Sequence, residues 1–335
     1  MNTLTFEDLP YQALASLRTQ SFRRRFQPRS YSPKMDEALR DVWKLLESKG
    51  SRRLEDKTQV LTEPTSGHIR TRASHTNEVV AQSIRVAEFL GLNVNLVWAI
   101  ALGHDIGHVP FGHQGEAYFA KRLGRPFAHE IMSVTVAQLL EREGSGLNLT
   151  WQTLDGMFRH GGDNASPTMT PEASIVRVCD KFAYVFADFN DFKRINYPIK
   201  RELIEAMNWF GTTQRARSER CILAMCEESI RLGKVSFLEC EEAKRFKELK
   251  RLMYEVYEHI TAQNVASILG PVWDFLESTR VGDPWLILAL MTDRDVLRLH
   301  EKPLLDVGHL MQTSVGELLS WLPTGIDPCK VDLDW

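Results

Sequence analysis

The stretch Val94-Asn-Leu-Val-Trp-Ala-Ile-Ala-Leu-Gly-His104-Asp105-Ile106-Gly107-His108 sets an apolar segment directly against a His-Asp pair. Val97, Ile100, Ala101 and His104 fall on one stripe, so Leu96 to His104 reads as a helix with its polar pair at the C-terminal end. Glycine and proline between Gly107 and Gly112 break the pattern, and a loop is expected there. Upstream, Val79, Val80, Ile84, Val86, Ala87 and Leu90 give a helical period over Asn77 to Leu90, closed by Gly91. Downstream, helices fit Glu116 to Leu123, His129 to Glu141, Thr150 to His160 and Pro171 to Phe192, with several more between Lys200 and His300. A further one fits Met35 to Leu46. No run of alternating β-branched residues competes with them, and the expected class is all-α.

Hydrophobic residues make up 43% of the 335, ample for a buried core. Charged residues reach 25% with a net charge of -3 and a pI near 6.4, which excludes the broad basic field behind non-specific nucleic-acid binding. Any anion must be held locally. Arg18, Arg23, Arg24, Arg25 and Arg29, with Pro28, Ser30, Ser32 and Pro33, read as an irregular arm. Its charges suit a solvated surface or subunit contact, with single-stranded nucleic acid as the alternative partner. Five cysteines without a CxxC pair fit a reduced chain in the cytoplasm. There is no secretory h-region, and the apolar runs Val94 to Leu102 and Trp285 to Met291 are too short to span a bilayer, so a soluble protein with no membrane partner is expected.

Four of the ten histidines fall between His104 and His129. His75 lies one turn before Val79 on the inward face of its helix, and Asp180 four residues after Val176 on the inward face of another. Adjacent helices can bring His75, His104, Asp105 and Asp180 to one point, a donor set for Mn, Fe, Co, Ni or Zn, and for Mg mainly through carboxylate. An isolated inward histidine is more often a hydrogen-bonded core residue, so spacing alone leaves both readings open. Arg72 stands three residues before His75 on the same helical face, and Lys181 follows Asp180; either suits phosphate or plain surface charge. Asp180, Tyr184 and Asp188 recur at intervals of four, along one stripe.

Several ordered segments resemble the HD phosphohydrolases: Arg72-Ala-Ser-His75, the run from His104 through His108 and His113 to Glu116, and Val178-Cys-Asp180. More narrowly, Arg52-Arg-Leu-Glu-Asp-Lys-Thr-Gln-Val60 and Met291-Thr-Asp-Arg294 resemble the dGTPase-like deoxynucleoside triphosphate triphosphohydrolases, and His129-Glu-Ile-Met-Ser-Val134 is similar to a segment of the mammalian dNTPase. The likeness covers roughly residues 50 to 300. It implies an HD-domain helical bundle with added N- and C-terminal helices: residues 1–50 an arm and helix, 51–200 the metal-binding core, 201–335 a helical region packed on it.

The resemblance also implies residue roles. His75, His104, Asp105 and Asp180 match the metal ligands, and Arg72 and Lys181 the phosphate contacts. Tyr184, Asp188 and Gln59 match positions at the deoxyribose, where a close tyrosine leaves no room for a 2′-hydroxyl. Tyr257 resembles a further nucleotide-facing position, although Leu249 stands where the family carries an arginine, beside Lys250 and Arg251. His113, oriented by Glu116, is the first candidate for protonating the leaving group and His129 the second, while His108 suits phosphate or an outer position. The implied reaction is metal-dependent hydrolysis of a deoxynucleoside triphosphate to deoxynucleoside and tripolyphosphate, by a homo-oligomer. Other HD enzymes act on monophosphates, cyclic nucleotides or alarmones with the same metal box, and a nucleotide-sensing or single-stranded nucleic-acid-binding module is the reading from another class. Base, metal, a second ion beside His108 and His129, and oligomer size stay open.

Overall fold

Residues 4–26, 35–61, 67–260, 265–302 and 306–335 are described by a computed structural model, and among them the secondary structure is helical, without strands. The helices are α1 (Glu37–Leu46), α2 (Lys49–Arg53), α3 (Arg72–Leu90), α4 (Val94–Gly103), α5 (Gly112–Leu123), α6 (His129–Thr135), α7 (Trp151–Arg159), α8 (Pro171–Arg194), α9 (Arg201–Phe210), α10 (Gln214–Leu232), α11 (Glu241–Ile260), α12 (Val265–Thr279), α13 (Pro284–Leu290), α14 (Asp293–His300) and α15 (Val307–Leu310). Among the described residues, no helix is long and apolar enough to cross a membrane.

The quoted apolar segment becomes α4, and because it is hydrophobic on every side it lies at the centre. Leu96, Val97, Ala99, Ile100, Ala101, Leu102 and Gly103 are all buried, and α1, α3, α7 and α8 pack around them. Two apolar cores meet at this helix. One joins α3, α4 and α8 to α9, α10 and α11 through residues such as Val86, Phe182, Phe186, Phe246 and Leu249. The other joins α1, α5, α6 and α7 to the C-terminal helices through Val42, Phe119, Met132, Met157, Trp273 and Ile287.

Capping explains where several helices begin. Thr71 accepts the Ser74 N–H, so α3 starts at Arg72, five residues ahead of the apolar periodicity, and brings Arg72 and His75 into its first turns. Gly91 closes α3 in the left-handed conformation at φ 82°. Likewise α5 starts at Gly112 rather than Glu116, taking His113 into its first turn. The expected helix from His129 to Glu141 loosens after Thr135 into a π turn over Val136–Leu140. Glu141 then accepts the Lys49 and Gly50 N–H groups at 3.1 and 2.7 Å.

The arginine arm is only partly the solvated segment expected. The Arg24 side chain is buried and paired with Glu37 and Asp41, each at 2.6 Å, and Arg23 lies over the Trp151 ring at 4.7 Å. These contacts pin the arm to α1 and α7. Pro28, Arg29, Ser30, Ser32 and Pro33 of the same arm lie outside the described residues.

Candidate functional site

The turn after α4 carries the site because α6 presses against it. At Gly107 a Cβ would meet the Ser133 backbone nitrogen at 2.0 Å, so only glycine allows this approach. Ser133 Oγ accepts the Gly107 N–H at 2.9 Å and donates to the His104 carbonyl at 2.7 Å. From the other side, the buried Lys57 donates to the carbonyls of His108 and Ala289. Burial pushes its ammonium down to about 7. Lys57 therefore supports the turn rather than facing a cleft.

His75 from α3, His104 and Asp105 after α4, and Asp180 from α8 converge. His75 Nε2 is 3.1 Å from Asp180 Oδ1 and 3.9 Å from Asp105 Oδ2, and His104 Nε2 is 3.3 Å from Asp105 Oδ1 and 3.8 Å from Asp180 Oδ1. His104 Nδ1 lies 2.7 Å from the Ala101 carbonyl, which can only accept, so the proton sits there and Nε2 presents a lone pair. That Nε2 is buried with no hydrogen-bond partner. An orphaned lone pair facing two carboxylates is what a cation would satisfy, and His75, His104 and Asp180 together could hold one.

The charges are arranged to keep the carboxylates ionised. Burial opposes ionisation of Asp105, but His104, His108 and Arg72 outweigh it and hold the group well below its ordinary range. The same contest, won by His75 and His104, lowers Asp180. Arg72 donates to Asp105 Oδ2 at 2.9 Å and is buried, so it is no surface charge; its Nε has no partner. Lys181 is pushed down to about 8 by burial and donates to the Arg177 carbonyl at 2.6 Å.

Beside this set, Glu116 gathers three imidazoles. Its Oε1 lies 2.7 Å from His108 Nδ1, 3.1 Å from His129 Nδ1 and 3.4 Å from His113 Nδ1. Burial resists the charge on Glu116, yet the three rings hold it well below the usual carboxylate range. Burial and Arg72 push His108 down to about 3, while Glu116 overrides burial and raises His129 to about 9. His113 differs from both: its side chain is 77% exposed.

The stripe on α8 leads away from the cluster. Tyr184 OH sits 3.4 Å from Tyr254 OH, and Tyr257 OH donates to Asp188 Oδ2 at 2.7 Å. Asp188 is buried against Arg70, whose Nε also donates to Asp191 at 3.0 Å. Burial raises Asp188 against the pull of Arg70 and Tyr257. Gln59 Oε1 is buried without a partner. Leu249, at the position of the missing arginine, belongs to the core.

Two residues escaped the sequence reading. Arg70 organises Asp188, Asp191 and Glu78 from just outside α3. His160, ending α7, places Nε2 3.1 Å from His129 Nε2 and its ring centroid 4.9 Å from that of His104. Neither sits in a recognisable motif; the only signal at His160 was a histidine closing an amphipathic helix.

Residues 72–185 match the HD domain family and contain all four converging residues. The chain thus contains a segment similar to HD domains. It is similar to a "Deoxyguanosinetriphosphate triphosphohydrolase-like protein" of Caldanaerobacter subterraneus, 44% identical over 152 residues, 45% of this chain and 44% of the relative. A protein of the same description from Clostridium tetani is 35% identical over 221 residues, 63% of each chain. The "triphosphohydrolase-like protein 1" of Deinococcus radiodurans is 38% identical over 210 residues, 59% of this chain and 56% of the relative. The chain spans between 44% and 63% of the length of these relatives.

Proposed function

We propose that this protein hydrolyses a deoxynucleoside triphosphate to deoxynucleoside and tripolyphosphate. The observation that carries the proposal is the convergence of His75, His104, Asp105 and Asp180 around the unpartnered His104 Nε2. The relatives' descriptions support the substrate class. A divalent cation held by these four residues would supply Lewis acidity toward the α-phosphate and a water of lowered pKa.

The protein's own groups do the remainder. Arg72, fixed by Asp105 and with Nε spare, and Lys181 beside Asp180 offer positive charge to phosphate oxygens. Water adds to the α-phosphorus as its bond to the 5′-oxygen breaks, and that oxygen leaves as a poor alkoxide unless protonated. His113 suits this role because it is accessible and its Nδ1 lies 3.4 Å from Glu116 Oε1, which can orient the ring. His129 also faces Glu116 but is buried deeper. Gln59 Oε1 can accept a sugar hydroxyl proton, and Tyr184, with the Tyr257–Asp188 pair behind it, forms a wall against the ring.

The test is incubation with each dNTP, the ribonucleotides and several divalent metals, with products separated by anion exchange. Deoxynucleoside plus tripolyphosphate, absent with His104→Ala, is the expected result. Orthophosphate, or turnover only of cyclic or monophosphate nucleotides, would overturn the substrate assignment, and tight nucleotide binding without turnover would replace it with a sensing role.

A further inference from the structure

Asp293 opens α14 at 5% exposure, and both of its carboxylate oxygens accept from backbone outside its own helix. Oδ1 accepts the Phe111 N–H and Oδ2 the Thr58 N–H, each at 3.0 Å. Phe111 precedes α5 in the left-handed conformation at φ 62°, uncommon for a residue with a side chain, and it caps α5 with no side-chain hydrogen bond. The bond to Asp293 therefore anchors the residue from which α5 sets off, with His113 as the second residue of the helix. Thr58 is tied in turn to the converging set. The Lys57 carbonyl before it accepts the Arg72 N–H at 2.9 Å, and the Arg72 guanidinium donates to Asp105 Oδ2, also at 2.9 Å. The Lys57 ammonium, which Asp293 attracts, donates to the carbonyls of His108 and Ala289. Asp293 itself is held by the capping box of Thr292 and Asp295. The join is close, for a Cβ at Gly112 would come within 2.5 Å of Arg72 Nη2.

We infer that Asp293 is a positioning residue: through the Phe111 and Thr58 backbone it sets where His113 stands relative to His75, His104, Asp105 and Asp180. The inference rests on the reading of His113 as the group that protonates the leaving 5′-oxygen. Such a donor must come within about 2.6–3.2 Å of the oxygen it serves. A displacement of about 1 Å at the start of α5 is therefore enough to cost on the order of 10²-fold in rate. Holding both segments at once takes two acceptors on one side chain, which a carboxylate has. An asparagine of the same shape keeps one acceptor and turns its amide N–H groups against the second donor, so it releases either Phe111 or Thr58.

Steady-state kinetics of the full-length protein with Mn²⁺, on the dNTP it turns over fastest, provides the test in a cycle of wild type, Asp293→Asn, His113→Ala and the double variant, with bound metal measured for each. Asp293→Asn is expected to lower kcat by on the order of 10- to 10²-fold with metal content unchanged. In the His113→Ala background it is expected to lower kcat no further, because a group that acts through another has nothing left to act on. An equal loss in both backgrounds, a loss of bound metal, or no loss beside an intact His113 would each overturn the inference while leaving the role of His113 in place. Should Asp293→Asn not fold, Asp293→Ser, whose hydroxyl can accept from one of the two N–H groups, replaces it in the cycle with the same expectations. Unchanged kcat in His113→Ala would remove the proton donor itself, and turnover of no dNTP would remove the proposed function; the inference falls with either.

Discussion

Asp41 on α1 and Asp105 at the end of α4 are almost equally removed from water, at 0% and 3% exposure. Around Asp41 every neighbour is a donor: Arg24 at 2.6 Å, the Thr150 N–H and hydroxyl at 2.8 and 2.7 Å, and the Thr153 hydroxyl at 2.9 Å. Asp105 has one firm donor, Arg72, and otherwise faces imidazole edges, at least two of which present lone pairs. The first carboxylate closes a structural joint between the arm, α1 and α7. The second has fewer firm hydrogen-bond donors at short range, a deficit that a bound cation would fill. Burial alone would not separate the two.

The sharpest way to break this comparison is to remove each carboxylate in turn. Asp105→Ala is expected to lower nucleoside release from dNTP by on the order of 10³-fold or more, since metal-based charge stabilisation is worth several kcal/mol. Urea unfolding should move less, because Asp105 loses one firm donor where Asp41 loses four hydrogen bonds. Asp41→Ala should do the reverse. Removing one partner of a buried, hydrogen-bonded pair costs about 3–5 kcal/mol, so the unfolding midpoint drops, while kcat per folded molecule holds. Parallel loss of stability and activity in both variants would refute the distinction.

His113→Ala tests whether the exposed ring is separable from the buried ones. A drop in kcat of about 10²-fold or more with metal content unchanged is expected of a proton donor. A parallel loss of bound metal would instead place His113 among the ligands. Chelation sharpens the contrast further: saturating Mn²⁺ at about 100 times its dissociation constant should stabilise wild type by about 2.7 kcal/mol and leave Asp105→Ala unmoved in thermal unfolding.

How far the sequence alone discloses the site follows from the same physics. The helical class is legible in the apolar periodicity, which also turns His75 and Asp180 inward on α3 and α8, while the grouping of His75, His104, Asp105 and Asp180 rests on the resemblance of ordered motifs. The starts of α3 and α5 are harder to read, since their first turns hold Arg72, His75 and His113 where apolar residues would mark a helix. Thr71 was the available cap signal. Arg24 reads as one of several arm charges, and only the tertiary position of Asp41 distinguishes it from Arg23 and Arg25. His160 lacks any local pattern, because its role depends on α7 ending beside α6.

The smallest expected effect lies at the structural joint. Lys44 donates to the Asn148 carbonyl at 2.7 Å and sits 4.0 Å from Asp41; burial, with Arg24 nearby, pushes its ammonium down to about 8. Its unfolded value is near 10.4. Between those two values the unfolded chain holds a proton that the folded chain has released, so stability rises with pH across that window. Lys44→Met removes the group from both states. The unfolding free energy of wild type should therefore gain on the order of 1 kcal/mol on the variant between pH 8 and pH 10, with the side chain's partial exposure keeping the gain modest. Equal slopes in urea titrations of the two proteins would show that Lys44 stays charged in the fold. In that case Asp41 would hold a second cation at its edge, and the joint would be more fully neutralised than the hydrogen bonds alone require.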